Sequence, residues 1–412
     1  MSEVFDIAIV GGGMVGASLA VALQGLGLRI ALIESAAHDS ASQPSFDERT
    51  TALSNGSRRI LETLGVWGAV APAATPIAKI HVSDQGHFGF ARIAAAEQGL
   101  DALGYVVANR ALGAALWSRL GACADVRAYC PAQVSAVIPG SDSVTLELTA
   151  ADGPGQSIAA RLVVAADGVQ SAVRAAFGIT TEVRDYEQTA VITSVLPRRF
   201  HEHVAYERFT PTGPLALLPL ADGRCTLVLT LTKALAETAM GWSDAEFLAE
   251  VQRRFGFRLG RFLQAGRRVP YPLMLSRARQ TSAARCVIVG NAAQGLHPVA
   301  GMGFNLGLRD VASLAELIAE RAGADCGDAG LLAAYDAWRA ADRRGIIAFT
   351  DGLVRVFSSP WGPIQGVRNA ALLAFDLLPP AKAALSSLST GAAGRISKLA
   401  RGVALARGSA RT

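Results

Sequence analysis

Hydrophobic and polar positions in this chain follow two periods, and both are visible in its first forty residues. Phe5-Asp6-Ile7-Ala8-Ile9-Val10 is an almost unbroken apolar run, the pattern of a strand buried on both faces. It stops at Gly11-Gly12-Gly13-Met14-Val15-Gly16, after which an apolar helix is predicted through Leu26. A second buried strand is predicted over Arg29 to Ile33, closed by Glu34. Two later stretches repeat the design. The run from Arg161 ends at Asp167-Gly168, with Ser171 placed to cap the next helix, and Cys286-Val287-Ile288-Val289-Gly290 ends at Asn291.

Between these stretches, Ser35 to Ser45 reads as a polar loop, and helices are predicted from about Ser54 to Leu64 and from Arg110 to Leu120. Loose alternation over Ile80 to Ile93 predicts strands of a second layer. Strands are also predicted at Val134 to Ile138 and Val144 to Leu148, around the turn Pro139-Gly140-Ser141-Asp142. From Thr180 to about Arg279 the texture is β-rich, with strands at Ala190–Leu196, Val204–Phe209, Leu215–Leu220 and Cys225–Thr232. One helix interrupts it, opened by the capping box Ser243-Asp244-Ala245-Glu246. The glycine-dense loop Gln294 to Gly307 enters a helix whose Phe304, Leu308, Val311, Ala315 and Ile318 share one apolar face. A helix over Leu331 to Phe349 follows, and the remainder reads as helices broken by Pro360, Pro363 and Pro379-Pro380.

This order of elements predicts an α/β protein. A discontinuous Rossmann-like nucleotide-binding domain takes residues 1–75, 105–179 and 280–350, and an inserted antiparallel β-sheet domain takes 76–104 and 180–279. Residues 351–412 form a C-terminal helical, basic segment.

Composition narrows the picture. With 51% hydrophobic and 18% charged residues, 412 residues can bury a large core, and a mainly disordered chain is excluded. No apolar run reaches the length of a spanning helix, and the first strand begins too early for a signal peptide, so a cytoplasmic protein is expected. Five scattered cysteines without a C-x-x-C pair argue against a zinc site or disulfide framework and read as small buried hydrophobes. The net charge of +5 is uneven: Lys382, Arg395, Lys398, Arg401, Arg407 and Arg411 lie in an acid-free stretch from Leu377 to Thr412. Such a tail suits an anionic membrane surface or an acidic partner. Nucleic acid is disfavoured, because no aromatic residues are interleaved with these charges.

The candidate chemistry starts at the first glycines. Gly11, Gly13 and Gly16 fit G-x-G-x-x-G between strand and helix, for a tight turn, close approach of a pyrophosphate to the helix N-terminus, and close helix–strand packing. Glu34 is placed to accept hydrogen bonds from ribose hydroxyls. Arg49, where the chain returns toward the glycine loop, can reach a cofactor or its phosphates. Arg110 opposes the macrodipole at a helix start and so serves something outside the helix. Asp167 stands at the carboxyl end of a parallel strand, where open α/β sheets hold ligands.

Together, these separated segments resemble the flavin-dependent aromatic hydroxylases, the class A flavoprotein monooxygenases. The ubiquinone-biosynthesis branch, the 2-polyprenyl-6-methoxyphenol hydroxylases, is the most similar through Gly-Asn-Ala-Ala-Gln and His297-Pro298-Val299-Ala300-Gly301-Met302-Gly303-Phe304-Asn305. The resemblance implies FAD held by Gly11, Gly13, Gly16, Glu34, Arg49, Arg110, Asp167-Gly168 and Gly290-Asn291. Here Asn291 replaces the acid that binds the ribityl chain in the family. It places His297, Pro298, Gly301, Gly303 and Asn305 in the loop against the flavin ring and assigns no catalytic side chain beyond that loop. It further implies NAD(P)H as electron donor, dioxygen, a flavin C4a-hydroperoxide and a polyprenylated phenol as substrate. A peripheral position on the inner face of the cytoplasmic membrane and contacts with other quinone-biosynthesis proteins complete the expectation. Two other readings stay open at this stage, a flavin-dependent reductase or dehydrogenase on the same scaffold and a non-catalytic subunit of a quinone-synthesis complex.

Overall fold

The computed structural model describes residues 3–37, 49–150, 155–296, 301–321, 323–358, 362–378, 382 and 395–406. In chain order, β1 (Glu3–Val10) leads into α1 (Met14–Ala22) and β2 (Ile30–Ile33). β3 (Thr50–Ser54), α2 (Asn55–Thr63), α3 (Trp67–Val70) and β4 (Thr75–Ile77) follow, then the hairpin of β5 (Lys79–Asp84) and β6 (Phe90–Ala94). Next come β7 (Gly104–Ala108), α4 (Asn109–Leu120), β8 (Val126–Tyr129), β9 (Ala132–Pro139), β10 (Val144–Ala150), β11 (Gln156–Ala165) and α5 (Ala172–Ala176). The β-rich middle comprises β12 (Thr181–Pro197), β13 (Val204–Thr210), β14 (Gly213–Pro219), β15 (Cys225–Thr232), α6 (Lys233–Met240), α7 (Asp244–Phe255), β16 (Phe262–Ala265) and β17 (Val269–Ala278). The chain closes with β18 (Ser282–Ala283), β19 (Cys286–Ile288), β20 (Gln294–Gly295), α8 (Met302–Glu320), α9 (Ala329–Ser358) and α10 (Gly362–Leu377).

The first sheet is parallel through its centre, in the order β19-β11-β1-β2-β8, with β18 and the β9–β10 hairpin added antiparallel. Alternate residues of its strands enter two different cores. Ile7, Ile9, Leu32, Leu162 and Val164 pack with α1, α4, α8 and α9, while Phe5, Ala8, Ile33, Val163 and Ala165 pack on the other face with β10 and α5. Burial on both faces is why these strands read as continuous apolar runs. Each large aliphatic side chain removed from water contributes roughly 1.5–3 kcal/mol.

The second sheet runs β20-β17-β12-β15-β14-β13-β5-β6, with β16 on β12, and α6 and α7 cover one of its faces. It draws on residues 79–94 and 181–278, and Gln294–Gly295 completes its edge. β3, β7 and β4 form a small antiparallel sheet between the two large ones.

Three element boundaries differ from the sequence expectation. α1 stops at Ala22 rather than Leu26, because Gly25 and Gly27 take left-handed backbone conformations at φ 76° and 66° that end the helix. α9 continues past Phe349 to Ser358. Pro363 does not break a helix; it stands in the first turn of α10, where a missing amide leaves no hydrogen bond unmade. Among the described residues, no helix is long and apolar enough to cross a membrane.

Candidate cofactor and active site

The carboxyl ends of β1, β11 and β19 lie side by side, with Val10 paired to Ala165 and Ala165 to Ile288. The three sequence segments therefore meet at one edge of the parallel sheet.

The glycine loop is built to bring backbone against backbone. Gly11 has φ 104°, and a Cβ there would lie 2.4 Å from the carbonyl oxygen of Ala166. A Cβ on Gly16 would lie 1.9 Å from the carbonyl oxygen of Gly11, so only hydrogen fits. Gly13 precedes α1 in extended conformation, leaving the first amides of the helix without partners within it. Glu34, buried at the end of β2, accepts the Gly12 amide at 2.6 Å and the Ala36 amide at 2.9 Å. Trp117 of α4 donates to the Gly12 carbonyl at 3.0 Å.

Asp167 follows β11 directly. Its Oδ2 accepts the Val173 amide at 3.2 Å, while its Oδ1 is buried and has no hydrogen-bond partner among the described residues. Burial pushes its carboxyl above the usual range, and the hydrogen bonds from Ser171 and the Val173 amide only partly oppose this. Gly168 has φ 87°, and Ser171 caps α5 by accepting the Arg174 amide at 2.9 Å. The buried Arg174 donates to the Val169 and Ala292 carbonyls at 2.7 and 2.8 Å, tying the Asp167-Gly168 turn to the Gly290–Ala292 turn.

Gly290 takes φ 58°, and its neighbour Asn291 is exposed. The Gly290 amide is held by Asp310 Oδ2 at 3.1 Å, and the same oxygen accepts from Gln294 at 2.9 Å. Asp310 Oδ1 accepts from Arg339 at 2.8 Å and Arg343 at 3.1 Å, all three groups being buried. Burial alone would push the Asp310 carboxyl up. The Arg343 and Arg339 guanidiniums outweigh it and hold the group below its ordinary range. Arg309 pairs with Asp342 at 2.9 Å beside this network.

Gly301 opens α8 in a left-handed conformation, 3.1 Å from Ala52 if it carried a Cβ, whereas a Cβ on Gly303 would point into open space. Asn305 is buried and holds the loop to β3: it accepts from the Ser54 amide at 2.8 Å and donates to the carbonyls of Ala52 and Gly301 at 2.8 and 2.7 Å. Its side chain thus positions this loop. His297 and Pro298 lie outside the described residues. Arg49 stacks over the Tyr271 ring at 4.6 Å, and its carbonyl accepts the Asn109 amide at 2.9 Å, which sets it beside the α4 start where Arg110 stands exposed.

These features fit a dinucleotide cofactor. A glycine loop with no room for a Cβ, the N-terminal end of α1 and a buried carboxylate oxygen without a hydrogen-bond partner among the described residues lie at the ends of neighbouring strands. A separate cavity of about 520 Å³, bordered by Ile60, Arg309, Trp338 and Arg395, is lined by none of the predicted cofactor residues.

Comparison with known proteins agrees. Residues 4–350 match the FAD binding domain family. The ubiquinone hydroxylase UbiL of Rhodospirillum rubrum is 39% identical over 383 residues, covering 92% of this chain and 88% of that relative. The chain belongs to the FAD-dependent ubiquinone hydroxylase family. FAD is its cofactor. Another relative, the 3-demethoxyubiquinol 3-hydroxylase of Escherichia coli, is 35% identical over 381 residues, covering 90% of this chain and 94% of its own. The crystal structure of p-nitrophenol 4-monooxygenase PnpA from Pseudomonas putida shares the fold, with a TM-score of 0.78 at 21% identity over 94% of this chain and 97% of that one. The relatives are named hydroxylases, so neither the reductase nor the non-catalytic subunit reading is favoured.

Sequence reading missed Asp310, Arg339, Arg343 and Arg174. The signal for the first was present: Arg309-Asp310 falls between the apolar Leu308 and Val311 in a helix with a long apolar stripe, and charges in such places are paired. Its partners, at i and i+4 on α9, could be found only from the packing.

Proposed function

We propose that this enzyme uses NAD(P)H and dioxygen to hydroxylate the aromatic ring of a polyprenylated phenol in ubiquinone biosynthesis. The observation that carries this reading is the convergence of Gly11, Asp167 and Gly290 at one sheet edge, in a chain whose relatives are named ubiquinone hydroxylases. When bound, FAD supplies dioxygen reduction and delivery of one oxygen atom to the ring. In our reading, Gly11, Gly13, Gly16 and the α1 amides hold the pyrophosphate, and Glu34 holds a ribose. Arg49 and Arg110 meet phosphate or flavin, and Asp167-Gly168 and Gly290-Asn291 serve the FAD chain. Pro298, Gly301 and Gly303 form the loop against the ring, with Asn305 as its clasp and the α8 N-terminus supplying partial positive charge. The second sheet walls the substrate space and keeps water out. The division at residues 75, 104, 179, 279 and 350 is the domain arrangement we assign to this chemistry. Deleting the gene in its host and identifying the quinone precursor that accumulates tests the reading; an unchanged quinone profile rejects it.

A polyprenylated substrate resides in a bilayer, and we infer that the C-terminal segment rests on an anionic membrane. Lys382 pairs with Asp376 at 3.2 Å, Arg395 with Glu316 at 3.0 Å and Lys398 with Glu320 at 3.3 Å, so these cations serve mainly to dock the segment on the protein. The exposed Leu377, Leu378 and Arg401 are the groups that would meet lipid. Binding to anionic liposomes that is unchanged by truncation after residue 376 would reject this contact.

A further inference from the structure

Side chains on β13 alternate between two environments. Tyr206 packs edge-on against Phe255 of α7 at 5.3 Å, and Arg208 donates to the Arg254 carbonyl at 2.9 Å, so both point to the helix-covered face of the second sheet. Ala205, Glu207 and Phe209 therefore point to the opposite face. Ala205 is buried with Ile77 and Val106 of the small sheet, against Ala52, whose carbonyl holds Asn305 of the α8 loop. At the other end, Phe209 stacks on Phe357 of α9 with ring centroids 3.6 Å apart. Glu207 sits between these two anchors, two residues or about 6.6 Å of strand from each.

Register extends the row across the sheet. Glu207 pairs with Val82 of β5 on one side and Ala216 of β14 on the other, and Ala216 leads to Val228 and Val228 to Ile192. One carboxylate thus stands in an apolar row facing the FAD-binding elements, without a hydrogen-bond or ion-pair partner among the described residues. Glu207 is half-buried there. An unpaired acid in such a row opposes stability, and groups of this kind collect at functional sites.

We propose that Glu207 is the acid–base group for the substrate's ring hydroxyl, a role that rests on the aromatic hydroxylase reading above. Its carboxylate accepts the hydrogen bond of the phenol. As the O–O bond breaks and the ring receives one oxygen atom, the other leaving as water with the two electrons of NAD(P)H, the phenolic O–H bond breaks, the proton passes to Glu207, and the bonding pair stays on the substrate oxygen and enriches the ring. When the ring carbon then loses its hydrogen to solvent as a proton and aromaticity returns, the substrate oxygen takes the proton back from Glu207. Burial pushes the Glu207 carboxyl up to about 7, near the pH at which a base of this kind works best.

Charges on the surrounding elements are already engaged. Asp84 of β5 is paired with Arg368 of α10 at 2.8 Å, and Asp351 of α9 lies 3.3 Å from Arg184. β3, β4 and β14 carry no titratable side chain, and Tyr105 of β7 packs on Trp67. His297 of the α8 loop lies outside the described residues.

The test uses the full FAD-loaded chain as wild type, Glu207→Gln and Glu207→Asp, with FAD content and the rate of flavin reduction by NAD(P)H as controls for folding. Without NAD(P)H, binding of 2-methoxyphenol is followed by perturbation of the flavin absorbance from pH 6 to 8. Wild type should bind several-fold tighter at the upper pH and Glu207→Gln should show no such rise. In turnover, Glu207→Gln should lose about 100-fold in kcat together with the acid limb of the kcat/KM profile, and Glu207→Asp should keep that limb. A Glu207→Gln enzyme that hydroxylates at the wild-type rate with the same limb, or binds with the same pH dependence, overturns the proposal while leaving the functional reading intact. Wild-type protein that holds FAD yet hydroxylates no phenol overturns both.

Discussion

Asp310 holds Gly290: its Oδ2 accepts the Gly290 amide at 3.1 Å, while its Oδ1 is gripped by Arg339 and Arg343 from α9. A buried ion cluster thereby fixes the left-handed turn at Gly290 that precedes the exposed Asn291. Removing one charge from such a cluster leaves the others uncompensated. Asp310→Asn should lower stability by about 3–5 kcal/mol, read by denaturant unfolding of the apoprotein, and should weaken FAD retention. A variant within about 0.5 kcal/mol of wild type would show that the cluster does not hold the turn.

Gly16→Ala adds a Cβ 1.9 Å from the Gly11 carbonyl oxygen, a backbone atom that no side-chain rotation can clear. The α1 N-terminus must shift away from the loop, and the purified variant should be colourless or carry only a small fraction of the wild-type flavin. Full flavin occupancy would contradict the close packing described for this loop.

Asp167 and its orphaned Oδ1 give opposite effects with and without cofactor. The folded-state pKa is raised, so the folded protein holds this proton more tightly than the unfolded chain does, and stability falls as pH rises through that window. Asp167→Asn apoprotein should therefore be at least as stable as wild type at pH 7–8. The same variant should bind FAD about 10- to 100-fold more weakly, the equivalent of about 1.5–3 kcal/mol for a lost charge-assisted hydrogen bond. Unchanged FAD affinity would remove Asp167 from the cofactor site.

Glu207 predicts a trade of stability for function with a defined sign. Its carboxyl rises from the ordinary 4.5 to about 7 on folding, so wild type should lose stability between those pH values, by at most about 3 kcal/mol. Glu207→Gln should flatten that loss and melt at higher temperature than wild type at pH 8. Parallel stability profiles for the two proteins would show that Glu207 ionises freely.

Much of this site was legible in the sequence because its determinants are local. The G-x-G-x-x-G turn, the acid at the end of β2 and the Asp167-Gly168 and Gly290-Asn291 turns each follow a buried apolar strand, and a strand end followed by glycine is a pattern within about ten residues. The capping box at Ser243 and Glu246 was legible for the same reason, and both of its reciprocal hydrogen bonds form. Long-range pairings left no comparable trace. Asp310 with Arg339 and Arg343, Arg174 with Ala292, and Asn305 with Ser54 join residues many positions apart, and nothing in the spacing of either partner selects the other. Glu207 was hidden for a further reason: in Val204-Ala205-Tyr206-Glu207-Arg208-Phe209 a polar residue reads as the solvent side of a half-buried strand, and only the packing of its neighbours shows that both faces of the strand are covered. The pairing of the basic tail was equally invisible: Glu97, Asp376, Glu316 and Glu320, the acids that meet Lys382, Arg395 and Lys398, all lie outside the acid-free stretch.

The most direct test of convergence on a single FAD that oxygenates a ring is the fate of isotopically labelled dioxygen. Purified protein should be yellow as isolated and, given NAD(P)H, ¹⁸O₂ and a prenylated methoxyphenol, should yield a hydroxylated ring carrying one ¹⁸O atom by mass spectrometry. NAD(P)H oxidation with no label in the product, or a protein that retains no flavin, would contradict the account.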